Sequence, residues 1–456
     1  MKKVLIIANL FHASPRIPTI SKYLPEFRWE PIILTGPIDK ESYRESGFFG
    51  FSQDFTKSGV KIIEAPYFDV LNYWKGVFGF HSGKSVKREM EKRTSTSFVK
   101  FSISPLLYFL REIIAYPDKE KNWKFPAIKA AEQFLQKEKI DAIISSSPPV
   151  TSHVIAKVLK SKYRIPWIAD LRDLWIQNHN YQYGPVRKLF EKRLELKTLK
   201  IADALVTVSP VWAEDLKTLH KRKVVYTITN GFDPDDVSKR RVDLTSKFTI
   251  TYTGQIYTGK QDPSKLFAAL KDLISDGTIS PNDVEVRYYG PMSELLDREI
   301  EEYELSAIAK QYGILPRDIS LEKQRESHVL LLLNWEDVQE KGVYTGKVFE
   351  YLAAQRPILT TGGTGDDVVK KLLDETKAGV YCKNIEEIKN SLYHFYLEYK
   401  KGKNVSYKGD IEKVNKYSYR EMAKKNAEIL NGLENNRGKI LYGKNILRGR
   451  DSGGSA

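Results

Sequence analysis

Residues Tyr344 to Leu359, read Tyr-Thr-Gly-Lys-Val-Phe-Glu-Tyr-Leu-Ala-Ala-Gln-Arg-Pro-Ile-Leu, place a glutamate one turn inside a helix that opens on threonine and glycine. Thr345 has the side chain of an N-cap, whose hydroxyl can hold one of the free backbone amides. The remaining amides and the helix dipole favour an anion just beyond the helix start. Glu350 is near enough to accept hydrogen bonds from ribose hydroxyls. Together these features point to nucleotide-sugar binding; the plain structural alternative is an N-cap followed by a solvated glutamate. A second loop, Tyr252-Thr253-Gly254-Gln255-Ile256-Tyr257-Thr258-Gly259-Lys260, follows an apolar run and leads into a helical pattern. Gly254 and Gly259 allow close backbone approach, and Lys260 supplies a mobile cation. A helix terminus gives an anion only about 0.3 to 2 kcal/mol. Millimolar to micromolar affinity needs roughly 4 to 8 kcal/mol, so Lys260 must share the load unless it is a solvated turn lysine.

These loops need sheets to position them. Short β-branched runs alternate with helical patterns along the whole chain, which predicts parallel sheets covered on both faces. Strands are expected at Val4–Ala8, Pro31–Leu34, Val60–Ala65, Ala142–Ser145, Pro166–Ala169 and Ala204–Val208, with helices near Arg16–Leu24, Phe125–Gln136, Ser152–Leu159 and Arg187–Lys200. The rhythm breaks at residues 231–246, read as a linker. Further strands are expected at Phe248–Tyr252, Val284–Tyr289, Val329–Leu333, Pro357–Thr361 and Gly379–Cys382. Helices are expected at Ser264–Leu273, Met292–Lys310, Lys347–Ala354 and Ile385–Tyr399. The fold class is therefore α/β, two Rossmann-like doubly wound domains, 1–230 and 247–410, facing a cleft lined by strand carboxyl ends. A helix over 411–435 is expected to return to the first domain, and the basic, Gly/Ser-rich tail 436–456 is expected to be disordered from Arg437.

Composition narrows the function classes. At 456 residues the chain suits two domains. Its single cysteine, Cys382, excludes an intrachain disulfide. The opening Met-Lys-Lys and Val4–Ala8 read as a first strand rather than a signal segment, and no run of about 18 apolar residues predicts a membrane span. The net charge of +15 calls for a polyanionic partner: nucleic acid, anionic lipid or a phosphorylated substrate. No zinc-finger spacing or RNA-binding aromatic motif supports nucleic acid.

With both loops in view, the pairing of a Gly-x-x-x-x-x-Lys loop with a late Lys-Val-Phe-Glu-Tyr-Leu-Ala-x-x-Arg-Pro-Ile helix resembles family 4 glycosyltransferases of the GT-B fold. Val4–Leu10, Ser146-Ser147-Pro148-Pro149, Trp167-Ile168-Ala169-Asp170-Leu171-Arg172-Asp173-Leu174-Trp175, Val206-Thr207-Val208-Ser209 and Asn230-Gly231-Phe232-Asp233 resemble, in order, landmarks of a bacterial branch that builds cell-surface polysaccharide. The resemblance implies a nucleoside diphosphate-sugar donor in the second domain. It puts Lys260 on the diphosphate, Thr345, Gly346 and Lys347 near the phosphates or sugar, Gly254 and Gln255 in the donor loop, and Glu350 on the ribose. Gln255 stands where the family often has arginine, and Gly342 where it has a second glutamate. On the acceptor side Arg172-Asp173 replaces a common His-Asp pair. Arginine cannot serve as a base near neutral pH, so Arg172 is expected to neutralise phosphate, with Asp170 and Asp173 orienting acceptor hydroxyls or simply tying the loop. Arg16, after Ser14-Pro15, stands in place of a glycine-rich loop and is expected to cap the cleft.

Asp233-Pro234-Asp235 reads as a turn rather than a metal site, and the scattered histidines predict no metal. Gly362-Gly363-Thr364-Gly365 lacks the Lys-Ser/Thr ending of a P-loop and is expected to border the donor site. Lys84, Lys87, Arg88, Lys92, Arg93 and Lys100, ahead of the apolar run 103–115, suit anionic lipid; a solvated loop and a core-facing helix is the alternative. The resulting expectation is a cytoplasmic enzyme, peripheral to the inner membrane face. It would move a sugar, with retention, to a hydroxyl of a growing cell-surface glycan, lipid-linked or free, as a metal-independent hexosyltransferase needing no cofactor. Two alternatives stay open: an epimerase or hydrolase of sugar nucleotides, and a non-catalytic polyanion binder.

Overall fold

The structure, a computed structural model, describes residues 1–10, 15–38, 59–67, 115–178, 181, 183–237, 242–336, 342–365 and 367–450. The basic and apolar segment Lys84 to Ile103 and onward to residue 114 lies outside the described residues. The first sheet comprises β1 (Lys2–Ile7), β2 (Trp29–Thr35), β3 (Lys61–Glu64), β4 (Ala142–Ser147), β5 (Trp167–Leu171), β6 (Ala204–Thr207) and β7 (Val225–Thr227). They lie parallel in the order β3-β2-β1-β4-β5-β6-β7, with Val4 opposite both Pro31 and Ala142. Around it lie α1 (Arg16–Tyr23), α2 (Lys124–Leu135), α3 (Thr151–Tyr163), α4 (Pro185–Leu199) and α5 (Pro210–Leu219).

Successive residues of a strand face opposite sides, and here both sides are covered. Leu5 and Ile7 pack with Ala127, Ile155 and Leu216 of the helices on one side. Val4 and Ile6 pack with Ile17 and Ile20 of α1 and, from the far end of the chain, Met422, Ala423 and Leu430. Burying both faces is why these strands read as unbroken apolar runs.

The second sheet comprises β8 (Phe248–Thr253), β9 (Val284–Tyr289), β10 (Ala309–Gln311), β11 (Val329–Leu333), β12 (Ile358–Thr361) and β13 (Gly379–Cys382). Its order is β10-β9-β8-β11-β12-β13, again all parallel. With it come α6 (Ser264–Ser275), α7 (Glu294–Glu302), α8 (Arg317–Arg325), α9 (Gly346–Ala354), α10 (Val368–Thr376), α11 (Ile385–Gly402), α12 (Ile411–Asn415) and α13 (Tyr419–Arg450). Leu331 and Leu333 face α6 and α11; Leu330 and Leu332 face α9 and α10.

Three expectations need correction. The helix foreseen over Met292–Lys310 stops at Glu302, because Glu304 adopts φ +60°, and the chain turns into the short edge strand β10. The tail foreseen as disordered from Arg437 continues α13 to Arg450: its glycines each cost about 1 kcal/mol in a helix, yet no proline interrupts the run. Helices α5, α8 and α10, unforeseen, are short segments whose charged outer faces mask their apolar stripe.

The chain crosses between the two sheets twice, and the crossings are hydrogen-bonded to each other. Phe232 N–H donates to Tyr417 O (3.1 Å) and Tyr419 N–H donates to Phe232 O (2.8 Å), forming a parallel bridge between Phe232 and Ser418. After the second crossing, α13 lies against α1, with Trp29 Nε1 donating to Asn431 Oδ1 at 3.2 Å. Gly231 is required by this contact, since a Cβ there would lie 2.4 Å from Tyr417 O. Gly231→Ala is therefore expected to cost about 1 to 3 kcal/mol by forcing the crossings apart; urea unfolding checks this, and parental stability would count against the bridge as a constraint.

Candidate functional site

In doubly wound sheets, ligands collect where the strand order reverses, because the loops leaving the carboxyl ends diverge there. The reversal falls between β1 and β4 in the first sheet and between β8 and β11 in the second. A cavity of about 450 Å³ lies between the two sets of loops, within the usual range of about 300 to 1,000 Å³ for ligand sites. The first sheet contributes Arg172, Asp173, Asn178, Trp212 and Asn230 to its wall; the second contributes Gln255, Tyr257, Trp335 and Tyr344 to Lys347. Thus Arg172, Asp173, Gln255, Thr345, Gly346 and Lys347, far apart in sequence, line one space. Asn178, Trp212 and Trp335 carried no sequence signal; Asn230 stood in a recognised motif without a role.

Lys347 is the cation most directly placed. Its ammonium lies 4.0 Å from the centre of the Tyr252 ring, donates to the Tyr252 hydroxyl and sits 3.3 Å from Gln255 O. Burial pushes it down to about 7, opposed by the nearby Glu350 carboxylate. Lys260, expected on the diphosphate, instead places its ammonium 4.9 Å from the centre of the Trp335 ring and is not among the lining residues. Gly254 adopts φ +100°, and its carbonyl lies where a Cβ on Gly290 would approach to 2.3 Å. The donor loop and the loop after β9 can therefore pass closely only as two glycines.

Thr345 holds the N-cap backbone position of α9 but its hydroxyl caps no amide, contrary to expectation. Its Oγ1 is buried without a hydrogen-bond partner, as is Asn230 Oδ1 across the cavity. Buried polar atoms are normally satisfied, so two such atoms on either side of one cavity mark a space shaped for a polar ligand. Glu350 lies one turn further on, outside the cavity lining, where Arg317 and Gln324 each donate to it at 3.4 Å. Those bonds are long, and a carboxylate with about four acceptor positions retains capacity for further hydroxyls. Gly342, where a second glutamate was looked for, has φ +85°, and a Cβ there would lie 2.8 Å from Ser209 Oγ and from Val211. The first domain occupies the space that a side chain would need.

Arg16 and Asp170 are drawn out of the cleft. Arg16 is fully buried and donates through Nε and Nη2 to the two Asp170 oxygens at 3.2 and 3.0 Å, and through Nη1 to Thr229 O at 2.5 Å. Asp170 also accepts from Ser146 Oγ at 2.9 Å. Arg16 therefore does not cap the cleft, and Asp170 is not open to acceptor hydroxyls. The pair fastens the start of α1 to the end of β5. Arg172 donates Nε to Ser147 O (3.0 Å) and Nη2 to Pro148 O (2.8 Å), and burial pushes its guanidinium below the usual arginine value. Asp173 lines both this cavity and a second one.

The second cavity, about 290 Å³, lies within the first domain and meets the cleft at Asp173 and Asn178. Trp175, Tyr181, Tyr183 and the carboxylates of Asp118, Glu120 and Glu191 line it. Burial, with Glu120 alongside, pushes Asp118 up to about 6; it caps Thr151 by accepting from its N–H and Oγ at 2.7 Å each. The remaining candidates are structural. Asp233 accepts from Tyr23 Oη at 2.6 Å and from Asp235 N–H, making the expected turn. The Gly362–Gly365 loop packs on Glu336, Tyr381 and Lys383. Among the described residues, no group of three or more His, Cys, Asp or Glu is spaced to hold a metal.

Removing one partner of a buried ion pair strands the other charge, at a cost of roughly 3 to 5 kcal/mol. Asp170→Leu is expected to lose that much by chemical denaturation, and Arg16→Met combined with Asp170→Leu to recover part of it. A single variant as stable as the parent would show that the pair does not fasten α1.

Residues 103–236 match Glycosyltransferase Family 4. No curated protein shows a significant match. Among solved structures, a glycosyltransferase from Rickettsia africae ESF-5 is 15% identical, with 95% of this chain and 98% of that one covered and a TM-score of 0.58. Anabaena Alr3699/HepE in complex with UDP-glucose is 11% identical, with 95% and 100% covered and a TM-score of 0.59. A variant of S. aureus TarM in complex with fondaparinux, alpha-GlcNAc-glycerol and UDP is 10% identical, with 94% and 100% covered and a TM-score of 0.53. These likenesses span 94 to 95% of the chain and show that it has the two-domain GT-B fold, while the likeness to Glycosyltransferase Family 4 is carried by residues 103–236.

Proposed function

We propose that the cavity between the sheets binds a nucleoside diphosphate-sugar, and that the sugar passes to a hydroxyl of a growing cell-surface glycan. The observation that carries this reading is the meeting, around one cavity, of a half-buried lysine, the amino end of α9 and two unpartnered polar atoms. A diphosphate fits there as a group needing both charge and donors. Lys347 supplies the charge, the first amides of α9 supply oriented dipoles, and Glu350 receives the ribose hydroxyls. Lys260, held over Trp335, contributes at longer range.

During transfer the acceptor oxygen bonds to the anomeric carbon while the bond from that carbon to the phosphate oxygen breaks, and the hydroxyl proton passes to the departing diphosphate. Negative charge gathers on the departing diphosphate. Groups already pointing at that charge lower the barrier without having to reorganise, and Lys347 with the α9 amides are such groups. Arg172 adds a fixed positive potential from the opposite wall, although two of its nitrogens are committed to carbonyls. Asp173, at the junction of the two cavities, is the carboxylate placed to receive the acceptor hydroxyl; the second cavity, aromatic and acidic, would hold the acceptor glycan. Retention at the anomeric carbon, hexosyl transfer without a metal or cofactor and a membrane-peripheral place in the cytoplasm follow from the family resemblance and belong to this proposal. The complexes of HepE with UDP or UDP-glucose and of TarM with UDP support a nucleotide donor here.

Three outcomes test the reading. In a thermal-shift panel of sugar nucleotides, one ligand well above its dissociation constant should add roughly 2 to 4 kcal/mol of stability, and Glu350→Ala should abolish that gain while remaining folded; a full shift in the variant removes Glu350 from the donor site. Lys347→Met should weaken the same ligand by tenfold or more, consistent with a charge-assisted bond of about 1.5 to 3 kcal/mol. The sign of the pH effect is also fixed. A diphosphate favours the ammonium, so the lysine bound to it titrates higher than the value of about 7 in the empty cleft. Binding then takes up a proton above pH 7, and affinity measured by calorimetry should fall by up to tenfold per unit as pH rises. Affinity independent of pH from 6 to 9, about one to two units either side of that value, would assign the anion to other groups.

A further inference from the structure

The helix α4 separates its charges by face. Glu191 and Glu195 are 2% and 0% exposed, Glu191 paired with Arg187 at 2.6 Å and Glu195 bonded to Ile176 N–H and His220 at 3.1 Å each. Turned the other way are Val186, Leu189 and Phe190, 67%, 50% and 53% exposed. They are spaced three and four residues apart and so form one stripe. Every exposed charged residue of the helix is cationic: Lys188, Lys192, Arg193 and Lys197. Its acids point into the protein together with Arg187, and its other bases, with three large apolar side chains, point out.

The surface continues beyond the helix. On α2, Phe125 is 74% exposed, with the Lys124 ammonium over its ring. Between them, Lys157 of α3 is pushed below the usual lysine value by burial and by the neighbouring cations Lys197 and Lys124. A cationic face studded with apolar side chains is unfavourable in water but complementary to phosphate headgroups above an acyl layer. A protein partner would need matching acids and a recess, whereas a lipid surface asks only for this charge sign and these protruding side chains.

We infer that the outer face of α4, with Phe125 of α2, docks on an anionic lipid surface. The inner face of the same helix lines the second cavity through Glu191, so docking would hold that cavity beside the lipid and bring a lipid-linked glycan to it. The delivery of acceptor rests on the proposed function; the docking does not.

The test is sedimentation of the full chain with vesicles of phosphatidylcholine alone or mixed with phosphatidylglycerol, at low and high salt. Two variants accompany it, Leu189→Ser with Phe190→Ser, and Lys188→Glu with Lys192→Glu and Arg193→Glu, each checked for an unchanged melting temperature. Binding only to the anionic vesicles, weakened by salt and reduced about tenfold or more by each variant, is the expected result. Sedimentation indifferent to phosphatidylglycerol, or a variant that binds like the parent, overturns the assignment, the latter by giving binding to another basic surface. A dimer that Leu189→Ser with Phe190→Ser splits also overturns it, by showing that a second copy covers the face. The donor thermal shift, measured without vesicles on all three proteins, keeps the two readings apart: its absence from the parent sinks the donor site and leaves the docking result standing.

Discussion

The paired crossings at Phe232 and Ser418 are the constraint on which the cleft depends. All strands of each sheet run parallel, so each sheet gathers its loops and strand carboxyl ends on one edge. That arrangement makes a ligand site only if the two edges face each other. A single crossing would leave one sheet free to swing. Two crossings bonded backbone to backbone, followed by a helix that buries Met422, Ala423 and Leu430 against the first sheet, tie the second sheet to the first at both its ends. The tolerance is small because the contact is made of main chain, with Gly231 pressed against the Tyr417 carbonyl.

Within that frame, the structure divides its cations between architecture and chemistry. Arg16 is neutralised by Asp170 in the interior, and Arg172 spends two of its donors on the carbonyls of Ser147 and Pro148. Neither has its full charge to offer. Among the described residues, the contacts of the Lys347 ammonium are a phenol, a ring face and a carbonyl. A half-buried ammonium with only neutral partners is poorly compensated, which is why its proton is held loosely. A diphosphate would supply the missing counter-charge. A helix terminus alone gives about 0.3 to 2 kcal/mol, well short of useful affinity, so the lysine beside it decides whether the site can hold an anion.

Much of this was legible in the sequence for identifiable reasons. Val329 to Leu333 and Val284 to Tyr289 are apolar or β-branched runs bounded by polar segments, and they are strands over those bounds. The Thr345-Gly346 opening of α9 was legible because a polar residue and a glycine precede a 3.6-residue apolar repeat. What failed was direction. Sequence spacing shows that Lys260 follows two glycines, but not that Trp335, from another loop, lies beneath its ammonium. It shows a charged Asp-Leu-Arg-Asp after a strand, but not that Asp170, still in β5, meets an arginine 154 positions away. Gly342 is the reverse case: it stands where the family has a second glutamate, and the first domain fills the place where that side chain would go.

The two faces of α4 connect these arguments. A helix at the edge of a domain is normally polar outside, since water rewards it there. This one keeps its carboxylates inside, where Glu195 takes a backbone amide and a histidine, and Glu191 takes an arginine. Packing alone does not ask for that, because apolar side chains at the same positions would bury without leaving charge to be compensated. With acids inside, the cavity beside Asp173 acquires a negative wall, and the outer face is left cationic. One helix thus sets opposite potentials on the cavity and on the surface. On the proposed function, a glycan with a phosphorylated lipid anchor would match that polarity, with neutral hydroxyls at one end and anionic phosphate at the other, and the helix would orient it before any specific contact forms.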